Sequence, residues 1–339
     1  MAGKILIKLM LSELFSSVGI HSLMERVCFT KKAFTLMYHR VLASADNQPC
    51  FVQPGMFVTT ASFEKQIVLL RDRFEVVFLE DLVEKLLNGE NIGGLCAITF
   101  DDGWRDNYTD AFPVLEKYRV PATIFLATGF VGTDRMFWPE EIGYYLDRNN
   151  VKSPEFDDAP PSLVRLLVEI SKHHRCKRET FLDRSIEILK EYSPNEREEI
   201  LGYFRSMLMI EPLPRQMLSW DEAREMFASG LVRFGAHTVN HEILDKVPEQ
   251  EARDEVSKCR EEIDHRLGGQ VRAFAYPNGN HCESIRNILV ENGFNIAVTT
   301  QKGFMDHGMP LMEIPRIAIH EDVSNTIPMF RSRILLRKF

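Results

Sequence analysis

Short apolar runs alternate with amphipathic stretches along most of this chain. Leu95 to Phe100 is continuously apolar and β-favouring, as a strand buried on both faces would be. Phe34 to Val41 reads as the first core strand, with His39 near its C-terminal end. Glu75–Phe78, Ala122–Ala127, Val232–Ala236, Val271–Tyr276, Asn295–Thr299 and Ile314–Ile319 bring the set to about eight. Between them lie helical periods. Phe63, Ile67, Leu70 and Phe74 recur at helical spacing behind Ser62 as N-cap, Leu79 to Leu87 follows, and Asp106 to Tyr118 reads as a helix kinked at Pro113. Ser219-Trp220-Asp221-Glu222 has the form of a capping box opening a helix that stops at Gly230, and a charged helix from Glu249 ends at Gly268-Gly269. Glu283 to Asn292 is a further helix. Strands separated by helices predict a parallel α/β architecture, and about seven to eight of them fit a barrel better than an antiparallel sandwich.

The alternation stops between Trp138 and Leu213, where charged, amphipathic helical sequence takes over, as in Leu163 to Ile170 and Phe181 to Tyr192. It is too polar for a core and too periodic for a loop, so it is placed as a helical insertion forming a cap or side subdomain. The expected organisation is an N-terminal amphipathic segment over 1–33, a barrel over 34–137 and 214–320, the insertion over 138–213, and a C-terminal helix over 321–339. In the N-terminal segment Ile5, Leu6, Leu9 and Met10 would share a face that packs on the barrel or touches a membrane surface. No run is long and apolar enough to span a bilayer. The expected location is the cytoplasm, with the inner membrane face as the place for any peripheral contact.

Composition narrows the partners. Over 339 residues, 45% hydrophobic and 27% charged content is ordinary for a soluble globular chain, and the net charge of −8 argues against a nucleic-acid partner. Cys28, Cys50, Cys96, Cys176, Cys259 and Cys282 show no Cys-x-x-Cys spacing and read as reduced, mostly structural thiols.

Chemistry concentrates at two strand ends. Asp101-Asp102-Gly103 follows the Leu95 strand directly, and the C-terminal end of a strand is where α/β folds place reactive groups. Alone it could be a turn. His237-Thr238-Val239-Asn240-His241 puts two imidazoles four apart just past another strand, and on a helical turn both would aim at one point. One metal ion could take both, with a carboxylate as third ligand and a position left for water. A carboxylate bound to metal is a poor base, so two adjacent aspartates can divide the work: one binds, the other takes a proton from the activated water. A histidinium nearby would protonate the leaving group.

With these residues assembled, the chain resembles the polysaccharide deacetylases of the NodB-homology type, carbohydrate esterase family four. Thr99-Phe100-Asp101-Asp102-Gly103 is similar to that family's first motif, His237 to His241 to its second, and Phe274-Ala275-Tyr276-Pro277-Asn278-Gly279 to a variant of its third. The resemblance spans about Phe34 to Ile319. It implies a distorted (β/α) barrel, with Asp101 as base and Asp102, His237 and His241 as ligands of a divalent metal, zinc being the default. It also implies a backbone N–H near Asn278 as oxyanion donor. Tyr276, Asn278 and Trp104 are the substrate-contact candidates; Trp104 and Trp138 read either as stacking on a sugar or as buried packing residues. Two departures stand out. Where many members carry an arginine that orients the catalytic aspartate, this chain has Ala275, and Arg316 is the candidate replacement. The late motif that supplies the acid is also not evident. His39, in Leu36-Met37-Tyr38-His39-Arg40-Val41, resembles the arrangement of permuted members, and His320 is the alternative; the more apolar strand favours His39. His173, His174, His265, His281 and His307 read as surface residues.

The activity implied is metal-dependent removal of N-acetyl groups from a polysaccharide or a lipid-linked glycan precursor, as in exopolysaccharide biosynthesis. The alternatives are hydrolysis of a non-peptide C–N bond in a small amide and an inactive carbohydrate-binding relative. Retention of Asp101, Asp102, His237 and His241 weighs against the last.

Overall fold

The computed structural model describes residues 2–44, 52–148, 159–171, 178–207 and 214–336. His173, His174, Cys50 and Cys176 lie outside them. The strands are β1 (Phe34–Tyr38), β2 (Arg40–Leu42), β3 (Phe57–Thr59), β4 (Glu75–Val77), β5 (Leu95–Phe100), β6 (Ala122–Leu126), β7 (Val232–Ala236), β8 (Ala273–Ala275), β9 (Ile296–Val298) and β10 (Ile317–Ala318). The main sheet is parallel in the order β10-β1-β5-β6-β7-β8-β9, with β4 also pairing with β5. A bridge between Val298 and Ile314 brings the β9 edge to the residues just ahead of β10, so the curled sheet approaches closure there. This is the parallel α/β architecture predicted by the pattern of runs, in the distorted (β/α) barrel form that the family resemblance implies. Every residue of β5 and β6 is buried, which is why those runs show no alternation.

The helices are α1 (Ala2–Ser17), α2 (Ile20–Cys28), α3 (Thr60–Arg73), α4 (Leu79–Leu87), α5 (Phe112–Tyr118), α6 (Trp138–Arg148), α7 (Pro161–Ser171), α8 (Arg178–Lys190), α9 (Pro194–Met207), α10 (Trp220–Ala228), α11 (Glu249–Leu267), α12 (Glu283–Glu291), α13 (Glu321–Ser324) and α14 (Ile327–Leu335). The capping box at α10 forms, Ser219 and Glu222 each accepting from the other's backbone N–H. α11 ends in left-handed Gly268, φ 70°.

Several boundaries differ from the sequence reading. The first strand stops at Tyr38, because Arg40–Leu42 leaves the main sheet to pair with β3; His39 is the residue between the two sheets. Thr59 rather than Ser62 caps α3, its side chain accepting from Ser62 N. Helical winding runs through Pro113, and the distortion lies just ahead of it. The proline sits in the first turn of α5, where its missing N–H costs nothing, and Asn107–Ala111 ahead of it winds as a wide π-helical turn. The C-terminal segment is two helices, α13 and α14, with Thr326 capping the second.

The chain divides into two compact units, Met1–Ala45 with Gly55–Thr133 and Arg215–Phe339, and Asp46–Pro54 with Asp134–Pro214. The second unit holds α6 to α9. Within it Leu163, Leu166, Ile186, Leu189, Ile200 and Phe204 are buried, Tyr145 stacks on Phe204, and Arg205 makes a two-pronged contact with Glu141. In the first unit α1 and α2 pack on α14. Of the apolar face expected on α1, Leu9 is half-buried and Met10 exposed, and the exposed apolar side chains are Ile7, Met10, Leu11 and Leu14; the side chains of Ile5 and Leu6 are outside what is described. Among the described residues no helix is long and apolar enough to cross a membrane. Cys28, Cys96, Cys259 and Cys282 are free thiols.

Candidate metal centre and its surroundings

Asp101 continues the line of β5, its N–H donating to Tyr38 O on the neighbouring strand. The backbone then turns sharply, with Asp102 at φ 78° and Gly103 at φ 81°. A left-handed aspartate costs roughly 1–2 kcal/mol. A side chain at Gly103 would meet the Leu126 side chain at 2.7 Å, so only glycine fits this exit. The turn sends the two adjacent carboxylates to different partners.

Asp101 receives Arg316, whose Nη1 and Nη2 donate to Oδ1 and Oδ2 at 2.6 and 2.7 Å. Arg316 is fully buried and is itself held, Nε donating to Thr299 O and Nη1 to Thr99 Oγ1. Burial pushes the Asp101 carboxyl up, but the Arg316 guanidinium outweighs it, and the charges of His237 and His39 add to the downward shift.

Asp102 faces the histidines. Its Oδ1 lies 3.4 Å from Nε2 of His237 and 3.4 Å from Nε2 of His241, and its Oδ2 accepts from Trp104 Nε1 at 2.8 Å. His237 Nδ1 meets Ala275 O at 2.7 Å, which fixes the ring with Nε2 turned to Asp102. The pair is not on a helical turn, as its spacing suggested. An irregular loop carries it, with Thr238 at φ 63° and His241 at φ 60°, and the two rings stand edge to face 4.8 Å apart. Glu255 on α11 holds that loop, accepting from Val239 N, Asn240 N and Asn240 Nδ2 at 2.8, 2.8 and 2.7 Å.

The donor set fits a divalent ion. The ligand atoms of Asp102, His237 and His241 all lie within 4.8 Å of one another. Asp102 Oδ1 is buried with no hydrogen-bond partner, a cost of about 1–3 kcal/mol that a cation would offset. Against the pull of burial, the His237 imidazole facing it and the charges of His39 and His241 hold the Asp102 carboxyl well below its usual range. Burial lowers His241 to about 4. Burial pulls His237 the same way, but the facing Asp102 carboxylate and the Asp101 charge outweigh it and raise that imidazole.

His39 is half-buried at the end of β1, and its charge is felt by Asp101, Asp102 and His241. Its carbonyl accepts from Asn107 Nδ2 at 2.8 Å, and next to it Arg40 forms a buried ion pair with Asp106 at 2.8 Å. His320 instead stands at the N-cap position of α13, where its ring makes no capping bond and pairs through Nδ1 with Asp322. Asn278 takes φ 58° in the turn after β8 and is exposed. Two substrate-contact candidates are buried, Trp104 taking the packing alternative of its two readings. Tyr276 is fully buried, packed on Phe274 and donating its hydroxyl to Met312 O, and Trp104 is fully buried with its N–H committed to Asp102, so neither ring offers a face to a sugar. Glu255, Asp106 and Asn107 were not singled out from sequence. Glu255 is a buried acid on an otherwise charged helix, and only its position on the core-facing line with Ala252, Val256 and Cys259 marks it.

Residues 88–152 and 147–297 match the family model described as polysaccharide deacetylase. The chain belongs to the polysaccharide deacetylase family. Among curated relatives of this deacetylase-family chain, YxkH of Bacillus subtilis (strain 168), named as a putative polysaccharide deacetylase, is 20% identical over 293 residues, 86% of this chain and 72% of its own. Among solved structures, the deacetylase PplD of Streptococcus pyogenes is similar at 20% identity and TM-score 0.56, covering 87% of this chain and 95% of its own. IcaB of Ammonifex degensii is similar at 21% identity and TM-score 0.56, over 89% and 97%. A de-N-acetylase of Aggregatibacter actinomycetemcomitans reaches TM-score 0.57 at 16% identity, over 89% and 99%. These likenesses establish the shared fold.

Proposed function

We propose that this deacetylase-family hydrolase removes N-acetyl groups from an acetylated polysaccharide or lipid-linked glycan, using a divalent metal held by Asp102, His237 and His241. The observation that carries the reading is the orphaned Asp102 Oδ1 midway between two imidazole nitrogens, beside a second carboxylate clamped by an arginine. Zinc is the ion we assign, since two imidazoles and one carboxylate suit it, and the ion would supply water activation and carbonyl polarisation. The rest falls to the chain. Asp101 takes the proton of the attacking water at a carboxylate oxygen, with Arg316 keeping it oriented and ionised. His39 delivers a proton to the leaving nitrogen from the β1 side. The backbone at Asn278 donates to the developing oxyanion. A structural neighbour named as a de-N-acetylase, together with the family's polysaccharide deacetylase description, favours an N-acetylated carbohydrate as substrate.

The test pairs metal content with acetate release from N-acetylglucosamine oligomers. Purified protein should carry one divalent ion per chain and lose turnover on chelation, and Asp102→Ala should lose both. Full activity in metal-free protein would end this reading.

A further inference from the structure

We propose that Trp104 is a positioning residue of the metal site: its indole N–H reserves Oδ2 of Asp102, so that the carboxylate offers a cation Oδ1 alone. The proposal rests on the assignment of Asp102, His237 and His241 as metal ligands, and extends it to a residue that touches none of the reacting atoms.

A free carboxylate presents two equivalent oxygens and can chelate through both. Here they are unequal. Oδ2 accepts from Trp104 Nε1 at 2.8 Å, while Oδ1 has no hydrogen-bond partner and faces both imidazoles. A hydrogen bond to an ionised acceptor out of water is of the strong kind, so turning the carboxylate to release Oδ2 is disfavoured.

The indole cannot follow the carboxylate if it turns, because it is pinned on other sides. Trp104 is fully buried. The Arg40 guanidinium lies 4.2 Å from the ring centroid and is fixed by Asp106 at 2.8 Å and by Gln216 at 3.0 Å. The backbone around Trp104 is tied to the 216–218 segment, Arg105 N donating to Gln216 O, Leu218 N to Gly103 O, and Trp104 bridging to Met217. Asp102 is therefore held by the same loop that presents it, through a donor only two residues along the chain. The same stack runs through Arg40 to its neighbour His39, so the ligand and the proposed acid share one support.

Outer partners of metal ligands typically affect affinity by about 10–100-fold. The experiment replaces Trp104 with 3-benzothienylalanine, which keeps the bicyclic shape and exchanges the N–H for sulfur, and separately makes Trp104→Phe. Each protein is stripped, reloaded with cobalt(II) or zinc(II), and examined by chelator competition and by the visible absorption of the cobalt form, with thermal unfolding of the metal-free proteins as the control for folding. Expected is roughly tenfold or greater weakening of both ions in the benzothienyl protein, a changed cobalt spectrum, and unfolding within a few degrees of the parent. Unchanged affinity and spectrum in that protein would overturn the role of Trp104 while leaving the ligand set intact. Failure of the parent itself to bind either ion would overturn the ligand set and this proposal with it. Should Trp104→Phe not fold, the benzothienyl protein alone decides.

Discussion

Both oxygens of Asp101 are occupied by Arg316, while Asp102, one residue on, has one oxygen held by Trp104 and one turned to two imidazoles. This inequality lets one residue type do two jobs. A base clamped by a guanidinium stays ionised and oriented, and the proton it takes must compete with that ion pair. Asp101→Asn should leave metal binding largely intact and lower turnover by roughly a hundredfold or more, checked by metal analysis and steady-state kinetics; loss of the metal would mean that the two aspartates have exchanged roles. For the acid, His39→Ala should cut turnover and remove the basic limb of the pH–rate profile with metal retained, whereas His320→Ala, at the N-cap position of α13, should do little. The reverse pattern would move the acid to the last strand.

At the scale of elements, strand ends and one buried helix residue build the site. β5 carries both aspartates, β7 leads into the histidine loop, and the carbonyl of Ala275 on β8 orients His237. Parallel neighbours deliver these ends to one rim of the sheet. The histidine loop has left-handed backbone at Thr238 and His241, so it needs outside support, and the three hydrogen bonds of Glu255 provide it. Glu255→Gln keeps the volume but turns one of the two acceptor oxygens into a donor, so the side chain can no longer accept from both the loop N–H groups and Asn240 Nδ2. We expect metal affinity to fall by about tenfold with α11 intact, read by chelator competition and far-UV circular dichroism. An unchanged affinity would mean that the His237 to Ala275 bond suffices to hold the loop.

On the whole-molecule scale, two long-range devices close the fold. Arg316, just ahead of β10, reaches Asp101, just past β5, across the intervening β1, and also donates to Thr299 O just past β9, so one side chain links the facing sheet edges to the site. The N-terminal helices are fastened to α14 by Arg331 on Glu25 and by His21 Nε2 against Ser332. His21 is buried, and desolvation, with Arg331 next, lowers it from 6.5 to about 4. A depressed histidine binds its proton more readily when unfolded, so its contribution is complete above about pH 6.5 and is lost as the pH falls towards 4. The slope from this group is at most about 1.4 kcal/mol per pH unit. Unfolding by denaturant at pH 7 and pH 4.5 should show this loss, and His21→Gln should reduce the pH dependence; an equal dependence in the variant would place its origin elsewhere.

Much of this is legible in the chain itself. The uninterrupted apolar runs mark the buried strands, the Ser219 box and Gly268 mark helix ends, and the adjacent aspartates and spaced histidines mark the chemistry, because each depends on near neighbours in sequence. Arg316 stands out only through the family resemblance, in which Ala275 occupies the place of an arginine. Other features require the folded chain. The left-handed turn that separates Asp101 from Asp102, the loop rather than helix that carries His237 and His241, and the break that leaves His39 between two sheets are decided by pairing across strands. Trp104 reads as either a sugar platform or a packing residue, because an aromatic beside an active-site motif is compatible with an exposed or a buried face, and only packing against Arg40 settles which. Glu255 is one acid among many on α11 until the fold places a loop with unsatisfied N–H groups above it. Local pattern determines which elements form and which reactive groups they carry; the partners of each oxygen and nitrogen are fixed by contacts between residues far apart in the chain, where desolvation makes every unmade hydrogen bond costly.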